Sequence, residues 1–190
     1  MPAITYSQIK SSKVAIELRP LKISDAATIA KYLNDRSVTK WTINIPYPYR
    51  RQDAINFIKK SLTLRKNKLQ YDFAIIDKQT NQLIGGIGLA NVDLKHKHCN
   101  LGYWLAKPYW QKGIMTTAVN LALDYAFNRL KLHRVFAMVL ADNTASLRVL
   151  EKNNFQLEGI FFEHIRKQGK WHNLFYYAIL RKDYKKQLTL

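Results

Sequence analysis

Hydrophobic and polar positions alternate from Val14 to Arg19 and then meet Pro20, a pattern that predicts a first strand. The period then lengthens. Ser24-Asp25 offers a helix start, and Ala26, Ala27, Ile29, Ala30 and Leu33 form one helical face that ends at Asn34-Asp35. Trp41 to Tyr49 holds two prolines and three large aromatics, which excludes regular structure and predicts a loop that lines something. A helix is predicted from Gln52 to Lys66, with Ala54, Phe57, Ile58, Leu62 and Leu64 inward. Three strands follow in quick succession: Tyr71 to Ile76, Leu83 to Asp93 with a bulge at Gly85-Gly86, and His98 to Ala106. A long helix runs from Gly113 to Leu130, with Met115, Ala118, Val119, Ala122, Leu123 and Ala126 on its apolar face. His133 to Ala141 is a strand, Asn143 to Glu151 a short helix closed by Asn153-Asn154, and Phe155 to Phe162 and Trp171 to Leu180 are the last strands, joined through Lys167-Gln-Gly169-Lys.

Short connections in the first half imply an antiparallel meander. A strand, a helix and a further strand imply a crossover, hence one parallel step. The expected fold is α/β (α+β): a mixed, mostly antiparallel sheet of about seven strands with helices on both faces. A length of 190 residues and a hydrophobic share of 47% suit one domain spanning residues 1–190.

Composition narrows the setting. The lone cysteine, Cys99, excludes an intrachain disulfide and a cysteine-based zinc site within one chain. Met1 to Ile16 has no apolar core of a secretory signal, and no apolar run reaches the roughly 18 residues of a membrane span, so a cytoplasmic protein without membrane association is expected. Lysine and arginine number 31 against 13 acidic residues, a net charge of +18. That charge is spread in small clusters, Lys185-Lys186 among them. It reads either as a solvated basic surface or as a face for a polyanion such as RNA.

Chemistry concentrates at Pro108-Tyr-Trp-Gln-Lys-Gly-Ile-Met-Thr116. A strand ends, a polar turn follows and a long helix begins. The first turn of a helix presents free N–H groups at the positive end of its dipole, which makes an anion site suited to a pyrophosphate. Gly113 allows close approach of the backbone, Lys112 adds charge and Thr116 a hydroxyl.

The segment Gly102-Tyr-Trp-Leu-Ala-Lys-Pro-Tyr-Trp-Gln-Lys-Gly-Ile-Met-Thr-Thr-Ala118 resembles the core of the GNAT acetyltransferases, in the RimJ/RimL branch of ribosomal-protein N-terminal acetyltransferases. So do Leu18-Arg19-Pro20, Leu132-His-Arg-Val135 and the block from Asn143 to Gly159, and together they span about Leu18 to Leu180. The resemblance implies the same mixed sheet, with the strand before the long helix splayed from its neighbour to receive a pantetheine arm. It implies acetyl-CoA as cosubstrate, with no metal, bound by Gln111, Lys112, Gly113, Ile114, Met115 and Thr116, and by Asn143 and Ser146 on the following helix. A backbone N–H at Trp104 or Leu105 would polarise the thioester carbonyl, Asn143 would bond the arm, and Ser146 would protonate the sulfur. Helix capping is the alternative role for Asn143 and Ser146. Two positions depart from the family pattern: Gln111 stands where the family often has glycine, and Asn100 where many relatives carry a glutamate base.

Asn100 accepts no proton at neutral pH, which leaves Glu163 and His164 as candidate bases; strand alternation lets only one of them face the site. Trp41, Tyr47, Tyr49 and Trp171 are candidates for the acceptor entrance. His96 and His98 on one strand face lack a third metal ligand, Cys99 reads as a core thiol and Tyr177 as a core aromatic. The expected reaction is acetyl transfer to a primary amine, foremost the N-terminal amine of a protein, with the basic surface suiting an acceptor on the ribosome or near RNA. A small-molecule detoxifying acetyltransferase and a non-catalytic RNA- or CoA-binding module are the alternatives. The chain is expected to be a monomer or homodimer.

Overall fold

The computed structural model describes residues 14–184. Most of the stretch read for a secretory signal, and the Lys185-Lys186 pair, lie outside the described residues. The first strand, β1 (Ile16–Pro20), leads through a single 3-10 turn into α1 (Ala26–Leu33). Asp25 stands at the start of α1, but its carboxylate turns back to Arg19, at 2.7 and 2.8 Å, and to the Lys22 N–H, rather than capping α1. The pattern of apolar positions did not foretell α2 (Arg36–Thr39). It is a single turn made by Asp35, whose side chain accepts from the Ser37 N–H at 2.8 Å. A non-periodic loop follows, then α3 (Arg51–Lys66) and the meander β2 (Tyr71–Asp77), β3 (Gln82–Asp93) and β4 (His98–Leu105).

After β4 come α4 (Ile114–Asp124), a π-helical turn at Tyr125–Arg129, β5 (Arg134–Leu140), α5 (Thr144–Lys152), β6 (Gln156–Lys167) and β7 (Lys170–Leu180). The seven strands form one sheet in the order β1-β2-β3-β4-β5-β7-β6. Among the described residues only β4 and β5 pair in parallel, as the crossover requires.

Alternation along the strands sorts the side chains into two cores. Phe73, Ile75, Ile87, Leu89 and Leu101 meet Ala118, Val119, Ala122 and Leu123 of α4 on one face. Ala74, Ile76 and Leu83 meet Ile29 and Leu33 of α1 and Ala54 and Ile58 of α3 on the other. Phe57 departs from expectation: it is 38% exposed and borders the cavity described below, because it lies off the stripe of α3 set by Ala54 and Ile58. The β2–β3 bulge falls one residue early, with Ile84 as the extra residue beside Gly85. His96 sits in the turn before β4 rather than on the strand, its ring 6.4 Å from that of His98. The hairpin β6–β7 extends past Phe162, through an irregularity between Phe161 and Ile165, to a tight turn at Gln168 and Gly169, where φ is +50° and +80°.

Candidate active site

Pairing between β4 and β5 stops after Asn100 and Phe136. Beyond that point the two strands part, and a cavity of about 910 Å³ opens in the cleft. Its walls come from β4, the start of α4, α5, the loop after α2 and the β6–β7 hairpin. Strand backbone along this stretch lacks a cross-strand partner on the side facing the cleft, so it is open to a ligand carrying amides.

At one end lies the start of α4. The indole N–H of Trp110 donates to the Leu105 carbonyl at 2.8 Å and folds the connection back on its strand. Gln111 at φ +60° and Gly113 at φ +75° then swing the chain into the helix. The left-handed conformation at 111 explains why glycine suits that position and what Gln111 has to tolerate. No side chain caps α4, so the first N–H groups, through Thr116, face the cleft unshielded. Lys112, Arg148 and Lys152 line the same end. An uncapped helix start, a left-handed glycine and three cations are the donor set a diphosphate needs, and the parted strands fit an amide-bearing arm.

Across the cleft, Asn143 caps α5: its Oδ1 accepts from the Ser146 N–H at 3.2 Å. Both residues also line the cavity, so capping and a ligand contact are compatible. The Ser146 Oγ lies 2.7 Å from the Tyr103 hydroxyl, which reaches from β4 to α5 across the split. Burial pushes the Tyr103 phenol well above its usual range, so it keeps its proton. Tyr103 escaped sequence reasoning although it stands inside the Gly-Tyr-Trp motif, because nothing local indicates a partner 43 residues away.

The other end of the cavity lies against the face that carries α1 and α3. Asp72, Gly88 and Gly102 stand in one row across β2, β3 and β4. Glycine leaves room for side chains from neighbouring strands: the Asp72 carboxylate leans over Gly88 and the Trp104 indole over Gly86. Asp72 is buried, and among the described residues that line the cavity it is the one carboxylate. Asn100, one step along β4 on the same face, has a buried Oδ1 with no hydrogen-bond partner. No sequence signal marked Asp72.

Of the proposed acceptor residues, Trp41 lines the cavity, joined by Ile43 and Ile45. Tyr47 and Tyr49 do not. Tyr47 is turned outward, 4.6 Å beneath the Arg36 guanidinium. Tyr49 is only 5% exposed within the core of α1 and α3, its backbone bonded both ways to the Asn34 side chain. Trp171 is exposed near the hairpin tip and outside the lining. His164 borders the cavity and Glu163 does not. The separation arises from the β6 irregularity rather than from strict alternation: Glu163 adopts φ +47°, and its N–H donates to Asn173 Oδ1 at 2.8 Å. Cys99 is fully buried, its thiol pushed up to about 12 by desolvation. Tyr177 is buried and donates to Glu151 at 3.2 Å, outside the cavity. Among the described residues no three of His, Cys, Asp and Glu gather as a metal site, and no helix is long and apolar enough to cross a membrane.

Comparison with known proteins follows the same lines. Residues 15–156 match the model of the acetyltransferase (GNAT) domain. An uncharacterized N-acetyltransferase p20 of Bacillus licheniformis is 30% identical over 172 residues, 89% of this chain and 94% of that one. The ribosomal-protein-S5-alanine acetyltransferase of Vibrio fischeri superposes with a TM-score of 0.79 at 26% identity, over 92% of this chain and 98% of that one. The spermidine N-acetyltransferase of Vibrio cholerae, in complex with CoA and spermine, superposes with a TM-score of 0.79 at 25% identity, over 89% and 97%. One of these two solved structures is named for a protein acceptor and the other for a polyamine, and both superpose on this chain with the same TM-score.

Proposed function

This chain belongs to the GNAT acetyltransferase family and is an N-acetyltransferase, and from that premise we propose that its acceptor is a singly charged primary amine, the N-terminal amine of a protein. The observation that carries the reading is the acceptor end of the cavity. It is lined by Trp41, Ile43, Ile45 and Trp104 with the uncharged Thr42 and Asn44 between them, and among the described residues it offers one carboxylate. A polyamine presents several positive charges in a row and needs several negative partners. A net charge of +18 repels it further. A protein N-terminus brings one cation and an apolar chain. The basic surface also suits a terminus displayed beside ribosomal RNA.

The donor half of the reading assigns acetyl-CoA to the cleft, in line with the CoA-bound relative. Acetyl-CoA supplies an acetyl group activated as a thioester. The free N–H groups of Ile114, Met115 and Thr116, with Lys112, hold the phosphates, with Gln111 and Gly113 setting the turn. Asn143 and the strand backbone at Trp104 and Leu105 hold and polarise the arm. Ser146 Oγ, steadied by the Tyr103 hydroxyl, carries the proton that returns to sulfur. Metal plays no part in this assignment.

Two measurements test the proposal. Acetyl-CoA is expected to raise Tm well beyond ATP at equal concentration, with the gain lost in Gly113→Asp, whose carboxylate repels the phosphates. A ligand at a hundred times its Kd stabilises by about 2.7 kcal/mol. In turnover, kcat/KM for peptides with free N-termini should exceed that for spermidine. The reverse order would refute the acceptor assignment.

A further inference from the structure

The cavity is polarised. Its cations, Lys112, Arg148 and Lys152, stand at the start of α4 and along α5, while its one carboxylate stands on β2 at the opposite, acceptor end. Side chains are absent at both positions between that carboxylate and the edge of the split, Gly88 and Gly102, and a Cβ at 102 would meet nothing within 4 Å. An open lane therefore runs across β3 and β4 from Asp72 toward the place where the strands part. Asn100 Oδ1, buried and without a partner, borders this lane on the same strand face. Two buried acceptor groups that border one open lane suit a ligand that brings N–H donors and a positive charge.

We propose that Asp72 takes the proton from the acceptor ammonium, and that Asn100 Oδ1 accepts a hydrogen bond from the same nitrogen. This rests on the reading of the chain as an acetyltransferase given above. Asp72 takes one proton and leaves a neutral amine. That amine attacks the thioester carbonyl, so a C–N bond forms as the C–S bond breaks. The second amine proton leaves with the sulfur as a thiol, and the proton on Asp72 passes to solvent. Asn100, which cannot take a proton, thus orients the nucleophile while the base acts from two strands away.

The surroundings of Asp72 suit the task. Burial raises its pKa, against the pull of hydrogen bonds from Ser61 on α3 and Gln70 and of the charge of Arg65 on α3. The facing positions of β3 and β4 contribute glycines and Asn100, none of which titrates. A carboxylate whose pKa is raised is a stronger base than an ordinary one.

The sign of its effect on stability separates this role from a structural one. With its folded pKa raised, the ionised carboxylate is penalised in the native state. The penalty is present above the folded pKa and disappears as pH falls toward the unfolded value of 3.8. Asp72→Asn should therefore raise Tm at neutral pH and remove that pH dependence, while lowering kcat by about 100-fold or more. The acid limb of its rate profile should move up to the titration of the acceptor itself, about 7.7–8.0 for an α-amine. Calorimetry gives a readout without turnover. Wild type should bind a peptide with a free N-terminus more tightly than its N-acetylated form, and Asp72→Asn should lose the preference. Gly88→Ala supplies a second variant, since its Cβ would lie 2.3 Å from Asp72 Oδ1 and displace the carboxylate. It should lower kcat in the same direction. An unchanged rate profile in Asp72→Asn, with the limb instead removed by His164→Gln, would overturn the assignment of Asp72 and leave the acetyltransferase reading intact. Failure of wild type to acetylate any amine would overturn both.

Discussion

Gln111 and Gly113 meet the same backbone demand with unequal ease. Both lie at positive φ on the approach to α4. A Cβ at 113 would meet no atom within 4 Å, so any cost there is conformational rather than steric. Gly113→Ala is expected to destabilise by about 1 kcal/mol in chemical denaturation, and Gln111→Gly to stabilise by up to about 1 kcal/mol. The Ser146–Tyr103 contact makes a different kind of prediction. The two hydroxyls share one hydrogen bond at 2.7 Å. A double-mutant cycle of Ser146→Ala and Tyr103→Phe should show a coupling of about 1 kcal/mol in stability. If Ser146 carries the proton to sulfur, Ser146→Ala should also lower kcat by about 100-fold, while Tyr103→Phe keeps most of it.

Elements matter here mainly through where they separate. A parallel pair that stays together for three residues and then splits produces a cleft no single strand encodes. The β6–β7 hairpin forms one wall of that cleft, and one side chain ties it to the loop after α2. Lys167, half-buried near the hairpin turn, donates to the carbonyl of Thr39 at 2.7 Å and to that of Thr42. These carbonyls sit at the end of α2 and the start of the loop that carries Trp41, so one ammonium ties the hairpin to the acceptor wall. Lys167→Met keeps the aliphatic stem and removes the tie. Expected is a several-fold rise in KM for the acceptor, corresponding to about 1 kcal/mol, with the thermal shift by acetyl-CoA unchanged. Equal losses for both substrates would show that the hairpin holds the whole cleft rather than one wall.

At the scale of the whole molecule, charge is expected to discriminate among acceptors before any contact forms. A protein of net charge +18 repels a polycation over roughly a Debye length, about 10 Å at 0.1 M salt. Raising the salt should therefore lower KM for spermidine, by on the order of 3-fold between 50 and 300 mM, and raise it for peptides rich in acidic residues. A polyamine KM insensitive to salt would mean that the local carboxylate at Asp72 outweighs the global field.

Much of this was legible in the chain. Periods of 2 and 3.6 locate β1 to β5 and the long helices, because burial of one face acts on every second or every third and fourth residue. The turn into α4 and the Asn143 cap could be read because helix starts and capping are local in sequence. Long-range geometry could not. Tyr47 and Tyr49 share the composition of a lining loop, yet one turns outward and the other into the core. Asp72 sits in a strand that reads as ordinary core, and only its alignment with Gly88 and Gly102 on neighbouring strands gives it open space. Local propensity and solvent-driven periodicity are properties of a segment, so the sequence alone determined most of the elements and the start of α4, but not α2 or the reach of the β6–β7 hairpin. Which side chains share a cavity depends on strand register and on where two strands part, and those are decided only when distant segments pack.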